Sequence, residues 1–163
     1  MTGKSRKDVI VVGVGNALLS DEGIGVHLIR RLSQSADKFP TVDFLDAGTG
    51  GLSVLHLIAN RKKAVIIDCA KMGEQPGTVR RFGIDDVKSI KTLSGLSLHE
   101  ADISRIISLA KFLGQLPKEV VFFGIEPKST APGENLSEKI ACRIDEYIRT
   151  ILLEFARSPA ARR

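Results

Sequence analysis

The 163-residue chain has no tryptophan, a single tyrosine and only two cysteines. With so few aromatics and none interleaved with basic residues, it lacks the stacking platform of a single-strand nucleic-acid binder. Cys69 and Cys142 show no metal-type spacing, which leaves two free, packed thiols rather than a zinc knuckle or a bridge. No apolar run approaches the roughly 18 to 20 residues of a membrane helix, and MTGKSRKD passes straight into a strand-like segment with no signal-peptide core. A cytoplasmic protein is the expectation, with no membrane and no nucleic-acid partner.

The formal charge of +5 points toward phosphate only until the charges are located. Lys4, Arg6 and Lys7 lie in one tail, Arg157, Arg162 and Arg163 in the other, and neither tail holds an acid, so the body is electrically balanced. What remains is ordinary soluble composition, 43% apolar and 26% charged, in a chain long enough to bury one core without staples. Neither a repeat nor a composition shift marks a second domain. The reading is one domain over 1–163, with a folded core of about 8–155 and loose basic tails.

VIVV at 9–12, AVII at 64–67 and VVFF at 120–123 are continuous apolar runs, the mark of strands covered on both faces. VDFL at 42–45 and TVRRF at 78–82 add two more strands, the second at an edge. Helical periodicity fills the intervals: Ile24 to Leu32, Leu52 to Ala59, Ile103 to Ala110 and Ile140 to Leu152. This order predicts a three-layer α/β/α sandwich around a mostly parallel, twisted sheet of about five strands. No helix is so apolar all round that it demands a permanent partner, so a monomer is expected.

Acids follow the ends of four strands: Asp21 and Glu22 after the Gly13-Val14-Gly15 turn, Asp46 before Gly48, Asp68 at the end of the third strand, and Glu126 after the last. Open α/β sheets bind ligands at that carboxyl edge. The helix over 98–113 must run antiparallel to the strand it precedes, which brings His99 to the same edge. The loop over 83–97 is long enough to return the chain there, at about 3.3–3.6 Å per extended residue. Each residue also has a duller role. Asp21 suits helix capping, and Asp46 is divided between turn former and site residue. Ser97 and Glu100 fit a capping box that leaves the His99 imidazole unexplained. Glu22 is the second of two adjacent acids, and Asp68 ends a buried strand; both read as functional. His27 and His56, inside amphipathic helices, do not.

Two carboxylates and an imidazole form a mixed oxygen and nitrogen set suited to nickel, zinc or iron. Residues 22, 68 and 99 form no local motif, so this reading stops at an acidic cleft, with a metal-dependent hydrolase as one possibility. A dinucleotide site, the rival reading of Gly13-Val14-Gly15, stumbles on Leu18, where G-x-G-x-x-G requires glycine or alanine; the leucine side chain is expected to obstruct strand-helix packing. Walker A, H-E-x-x-H, G-x-S-x-G and C-x-x-C patterns are absent.

GVGNALLSDEGIGVHLIRRL, DAGTGG, VIIDCA, PGTVRRF, LSLHEADI, FFGIEP and LSEKI, in this order, resemble the hydrogenase maturation proteases over roughly 9–152. The resemblance implies a five-stranded sheet and an aspartyl-type endopeptidase that removes the C-terminal extension of a nickel-loaded large-subunit precursor of nickel-iron hydrogenase. It places the nickel-recognition set on Glu22, Asp68 and His99. The nickel is carried by the substrate, with no organic cofactor. Asp68 and, as a further candidate, Asp46 are the carboxylates that can activate water. The alternatives are a non-catalytic nickel checkpoint or chaperone that binds the same precursor, and a dinucleotide-binding protein.

Overall fold

The computed structural model describes residues 6–86 and 98–156, the side chains of 98–102 and 156 excepted. Most of the 83–97 loop, the Ser97–Glu100 capping box, residues 1–5 and the C-terminal tail lie outside the described residues. Strands β1 (Val9–Gly13), β2 (Val42–Asp46), β3 (Lys63–Cys69), β4 (Val79–Gly83) and β5 (Glu119–Ile125) form one sheet in the order β2-β1-β3-β5-β4. All neighbours are parallel except β4, which runs antiparallel to β5. The expected strands all form.

Burial follows the sequence pattern strand by strand. Every residue of β1 and β3 is buried, as the continuous apolar runs require, whereas β2 and β4, at the two edges, carry exposed residues. Alternate side chains of the inner strands enter opposite layers. Val9, Val11, Val65, Ile67, Val121 and Phe123 meet Leu28, Leu32, Tyr147 and Ile151 of helices α1 (Ile24–Ser33) and α5 (Ile144–Ala156). Ile10, Val12, Ala64, Ile66, Val120 and Phe122 meet Val54, Ile58, Ile103 and Ile107 of helices α2 (Leu52–Ile58) and α3 (Leu98–Phe112). Each Val, Leu, Ile or Phe side chain among them, fully buried, contributes about 1.5–3 kcal/mol.

Two expectations need correction. The last helical pattern is divided: α4 (Glu138–Ala141) makes one turn, and α5 starts after a seam at Cys142 and Arg143. At that seam Arg143 Nη1 donates to Gly77 O at 2.6 Å, the same carbonyl that accepts from Tyr147 Oη at 2.9 Å. The chain bends where this loop carbonyl draws in both side chains. The N-terminal tail is also tied down at its end. Lys7 donates from its amide to Asp43 Oδ2 at 3.2 Å and from Nζ to Val42 O at 3.0 Å. Among the described residues no helix is long and apolar enough to cross a membrane.

Candidate active site

The carboxyl edge is assembled by backbone approaches that only glycine allows. A Cβ on Gly25 would stand 2.2 Å from Val14 O and 2.5 Å from Ile67 O, so the start of α1 sits directly on the ends of β1 and β3. Gly15, at φ +147°, similarly lies where a Cβ would meet Glu22 O at 2.0 Å. These contacts fold residues 14–23 back over the edge, where Ser20–Gly23 form a 3-10 turn packed against β3. Val14 N to Ile67 O at 2.8 Å, Gly15 N to Gly48 O at 2.7 Å and Ala47 N to Gly13 O at 2.9 Å lock the three strand ends together.

This geometry corrects the reason for setting a dinucleotide site aside. Leu18 obstructs nothing; it is 62% exposed in the loop. The difference lies in the length of the connection. Between β1 and α1 the chain inserts a 3-10 turn carrying two acids, where a dinucleotide fold has a tight glycine turn and a helix N-terminus facing a pyrophosphate.

Glu22 and Asp68 both lie at this edge, Glu22 on the 3-10 turn that packs against β3 and Asp68 near the end of β3. Asp68 is buried and accepts from the Cys69 amide at 2.8 Å, while Glu22 is half-buried on the 3-10 turn. Cys69, the residue after Asp68, is a free thiol buried in the core. Burial pushes its pKa far up, and the charges of Asp68, Glu22 and Asp21 push it further in the same direction. His99 lies in the first turn of α3, and its side chain is outside the described residues. Among the described residues no three His, Cys, Asp or Glu side chains group closely enough to hold a metal ion.

The other acids of this edge have structural work. Asp46 Oδ1 accepts from Gly48 N at 2.7 Å, the turn-forming bond, and Oδ2 lies 4.0 Å from Arg30, with the side chain 38% exposed. Glu126 is buried, and its Oε2 accepts from Met72 N at 2.6 Å and Glu74 N at 3.2 Å, fixing the loop before β4. Asp21 caps no helix of its own. It is 1% exposed and accepts from Lys128 N and Ser129 N at 2.9 Å, Ser137 N at 2.7 Å and Ser137 Oγ at 2.8 Å. It straps the loop after β5 to the turn that carries Glu22, a role that sequence reading missed. No local pattern points to it, because its partners lie more than a hundred residues away. His27 has a buried Nε2 with no hydrogen-bond partner, and burial, with Arg30 nearby, holds its pKa low.

The fold and this rim define a class first: an α/β/α protein whose parallel strands end in a carboxylate-rich edge built on glycine contacts. A profile of the family described as hydrogenase maturation protease matches residues 26–154. The chain is 31% identical over 145 residues to the hydrogenase 2 maturation protease of Escherichia coli (strain K12), covering 88% of each. It is 34% identical over 120 residues to the hydrogenase expression/formation protein HoxM of Cupriavidus necator, covering 74% of this chain and 59% of that one. Its structure matches the hydrogenase maturating endopeptidase HybD from E. coli with a TM-score of 0.81, at 29% identity and 93% coverage of both chains. The chain therefore belongs to the hydrogenase maturation protease family and is an endopeptidase.

Proposed function

We propose that this endopeptidase removes the C-terminal extension of a nickel-loaded large-subunit precursor of nickel-iron hydrogenase. Glu22, Asp68 and His99 receive the nickel that the precursor carries, as part of the substrate. Docked there, the nearby scissile amide meets a water activated by a carboxylate, and the metal polarises the carbonyl or lowers the pKa of the water. Asp68 and Asp46 are the carboxylates assigned to the proton. The observation that supports this reading is the placing of the buried Asp68 near the end of β3 and of Glu22 on the turn packed against that strand, at the carboxyl edge of a fold shared with a hydrogenase maturating endopeptidase.

The test is incubation of the purified protein with nickel-loaded precursor, followed by mass spectrometry of the precursor's C-terminus. Loss of the extension by the unaltered protein, and an intact precursor with His99→Ala or Glu22→Gln, are the expected results. Full cleavage by His99→Ala overturns the assigned set. Asp46→Asn separates the two roles of that residue. The amide oxygen can still accept from Gly48 N, so a loss of cleavage with an unchanged fold assigns a proton role, and full activity leaves Asp46 as a turn former only.

A further inference from the structure

Exposed leucines are ordinary on a protein surface, and taken singly they call for no explanation. Leu18 is set apart by how it is held. Its amide donates to Asn16 Oδ1 at 3.0 Å and its carbonyl accepts from Gly133 N at 2.9 Å, so both backbone groups are fixed while the side chain is 62% exposed. The residues that follow tighten the hold. Leu19 and Gly133 form a β-bridge, and Ser20 donates from its amide to Gly133 O at 2.7 Å and from Oγ to Ala131 O at 2.8 Å. Ser20 stands at φ +50°, a left-handed conformation that serine adopts at a cost, and these bonds keep it there. The connection that brings Glu22 to the carboxyl edge thus also holds, four residues earlier, an open leucine side chain on a pinned backbone.

Position separates it from the other exposed large apolar side chains among the described residues. Leu109, Phe112 and Leu113 lie at the end of α3, which leads into the start of β5, and Leu153 is next to Glu154, the partner of Lys63 at the start of β3. Leu45 and Leu52 belong to the outer strand β2 and to the helix after it. Only Leu18 lies in the connection that carries Glu22. We propose that Leu18 is a specificity residue of the endopeptidase, and that its side chain packs against an apolar side chain which the precursor presents next to its nickel. The inference rests on the function proposed above. The acids of the edge answer a metal and not the protein around it, and an apolar contact in the same connection adds recognition of that protein. Because Asn16 and Gly133 already fix the backbone of Leu18, docking orders little besides the side chain, so the area it buries contributes to affinity with a small entropic loss.

The experiment measures kcat and KM for cleavage of nickel-loaded precursor by the unaltered protein and by Leu18→Ala, Leu18→Gln, Leu18→Met and Leu153→Ala. Leu18→Ala is expected to raise KM about fivefold with kcat changed less than about twofold, the signature of a contact made equally before and during the reaction. Leu18→Gln, similar in length but polar, should resemble the alanine variant, whereas Leu18→Met should stay near the unaltered KM. Leu153→Ala, at the far end of the sheet, should change nothing. All the Leu18 variants should melt within about 2 °C of the unaltered protein, because the side chain they alter faces solvent. An unchanged KM for Leu18→Ala overturns the proposal, as does a KM for Leu18→Gln equal to that of Leu18→Met, or a rise with Leu153→Ala as large as with Leu18→Ala. A photo-crosslinking amino acid in place of Leu18 identifies the occupant by mass spectrometry. A crosslink to an apolar residue a few positions from a nickel ligand of the precursor is expected, and a crosslink to a remote surface overturns the assignment. If the unaltered protein leaves the precursor uncleaved, the protease reading fails by itself. Precursor binding by biolayer interferometry then still decides Leu18: about fivefold weaker binding by Leu18→Ala supports the contact, and equal binding overturns it.

Discussion

Replacing Asp21 with asparagine changes one oxygen to an NH₂ group and almost nothing in volume. At this position the change is severe. The carboxylate accepts four hydrogen bonds, three at Oδ2 and one at Oδ1, from donors in the 128–137 loop. Asparagine has a single accepting oxygen. In its better orientation that oxygen keeps Lys128 N, Ser129 N and Ser137 Oγ, and the NH₂ faces Ser137 N, donor against donor. The lost charge-assisted bond costs about 1.5–3 kcal/mol, and the three retained bonds weaken to neutral strength. Relief of the buried charge offsets part of this, so the net expectation is about 3 kcal/mol, or a fall in Tm of about 6–12 °C for a domain of this size. Urea unfolding monitored by circular dichroism reads the global loss. Hydrogen exchange reads its location, with the amides of 128, 129 and 137 losing protection before the core of β3. Because Glu22 is the next residue, cleavage at a temperature where the variant is fully folded is also expected to fall. A stability within 0.5 kcal/mol of the unaltered protein, with those amides as protected as before, refutes the strap.

Three further outcomes are expected. Gly25→Ala puts a methyl 2.2 Å and 2.5 Å from two backbone oxygens that cannot withdraw, so unfolding experiments should show a loss above about 4 kcal/mol or no folded protein. Gly48→Ala meets no atom within 4 Å and costs only about 1 kcal/mol for its φ of +53°. Glu154→Gln removes the carboxylate 2.7 Å from the buried Lys63, which keeps Glu119 at 3.0 Å, and leaves Arg81 one neutral acceptor, at a cost of about 1.5–3 kcal/mol in urea at neutral pH. That difference should shrink in acid. The Arg81 hydrogen bonds and then Lys63 hold the Glu154 pKa down to about 2, so its contribution is full above the ordinary value of 4.5 and is lost as pH falls toward 2. A gap between Glu154→Gln and the unaltered protein that stays constant from pH 7 to about 2.5 refutes the linkage.

The sheet was legible because its signals are local. VIVV and AVII have nowhere to alternate, so both faces of β1 and β3 had to be covered, and the mixed TVRRF could only lie at an edge. The carboxyl edge followed from strand ends alone, which is why Glu22, Asp46 and Asp68 could be named together. Asp21 was misread because a carboxylate near a helix start has a nearby explanation, whereas its real donors follow β5, 107 to 116 residues later. Leu18 was misread for the same reason. A motif rule judged its side chain by spacing, while the close packing is done by Gly13 and Gly25, and the leucine is free to face outward. The division of the last helix depends on Gly77 O, which no periodicity within 138–156 can reveal.

The two ends of the sheet handle buried charge by opposite means, and this bears on what each can bind. At the amino end the buried cations are answered by acids: Arg61 by Asp43 at 2.6 Å, and Lys63 by Glu154 at 2.7 Å and Glu119 at 3.0 Å. Such pairs cancel their fields and hold the strands in place. At the carboxyl end the buried acids are answered by backbone amides, Asp21 by Lys128, Ser129 and Ser137, and Glu126 by Met72 and Glu74. An N–H group satisfies a carboxylate without bringing a whole positive charge, so the negative field survives the satisfaction of the group. Burial and then the charges of Asp68, Glu22 and Asp21 push the pKa of the Cys69 thiol up at this end, with Lys71 acting against them. An edge whose buried acids are satisfied by amides keeps a negative field, which favours a cation that arrives from outside.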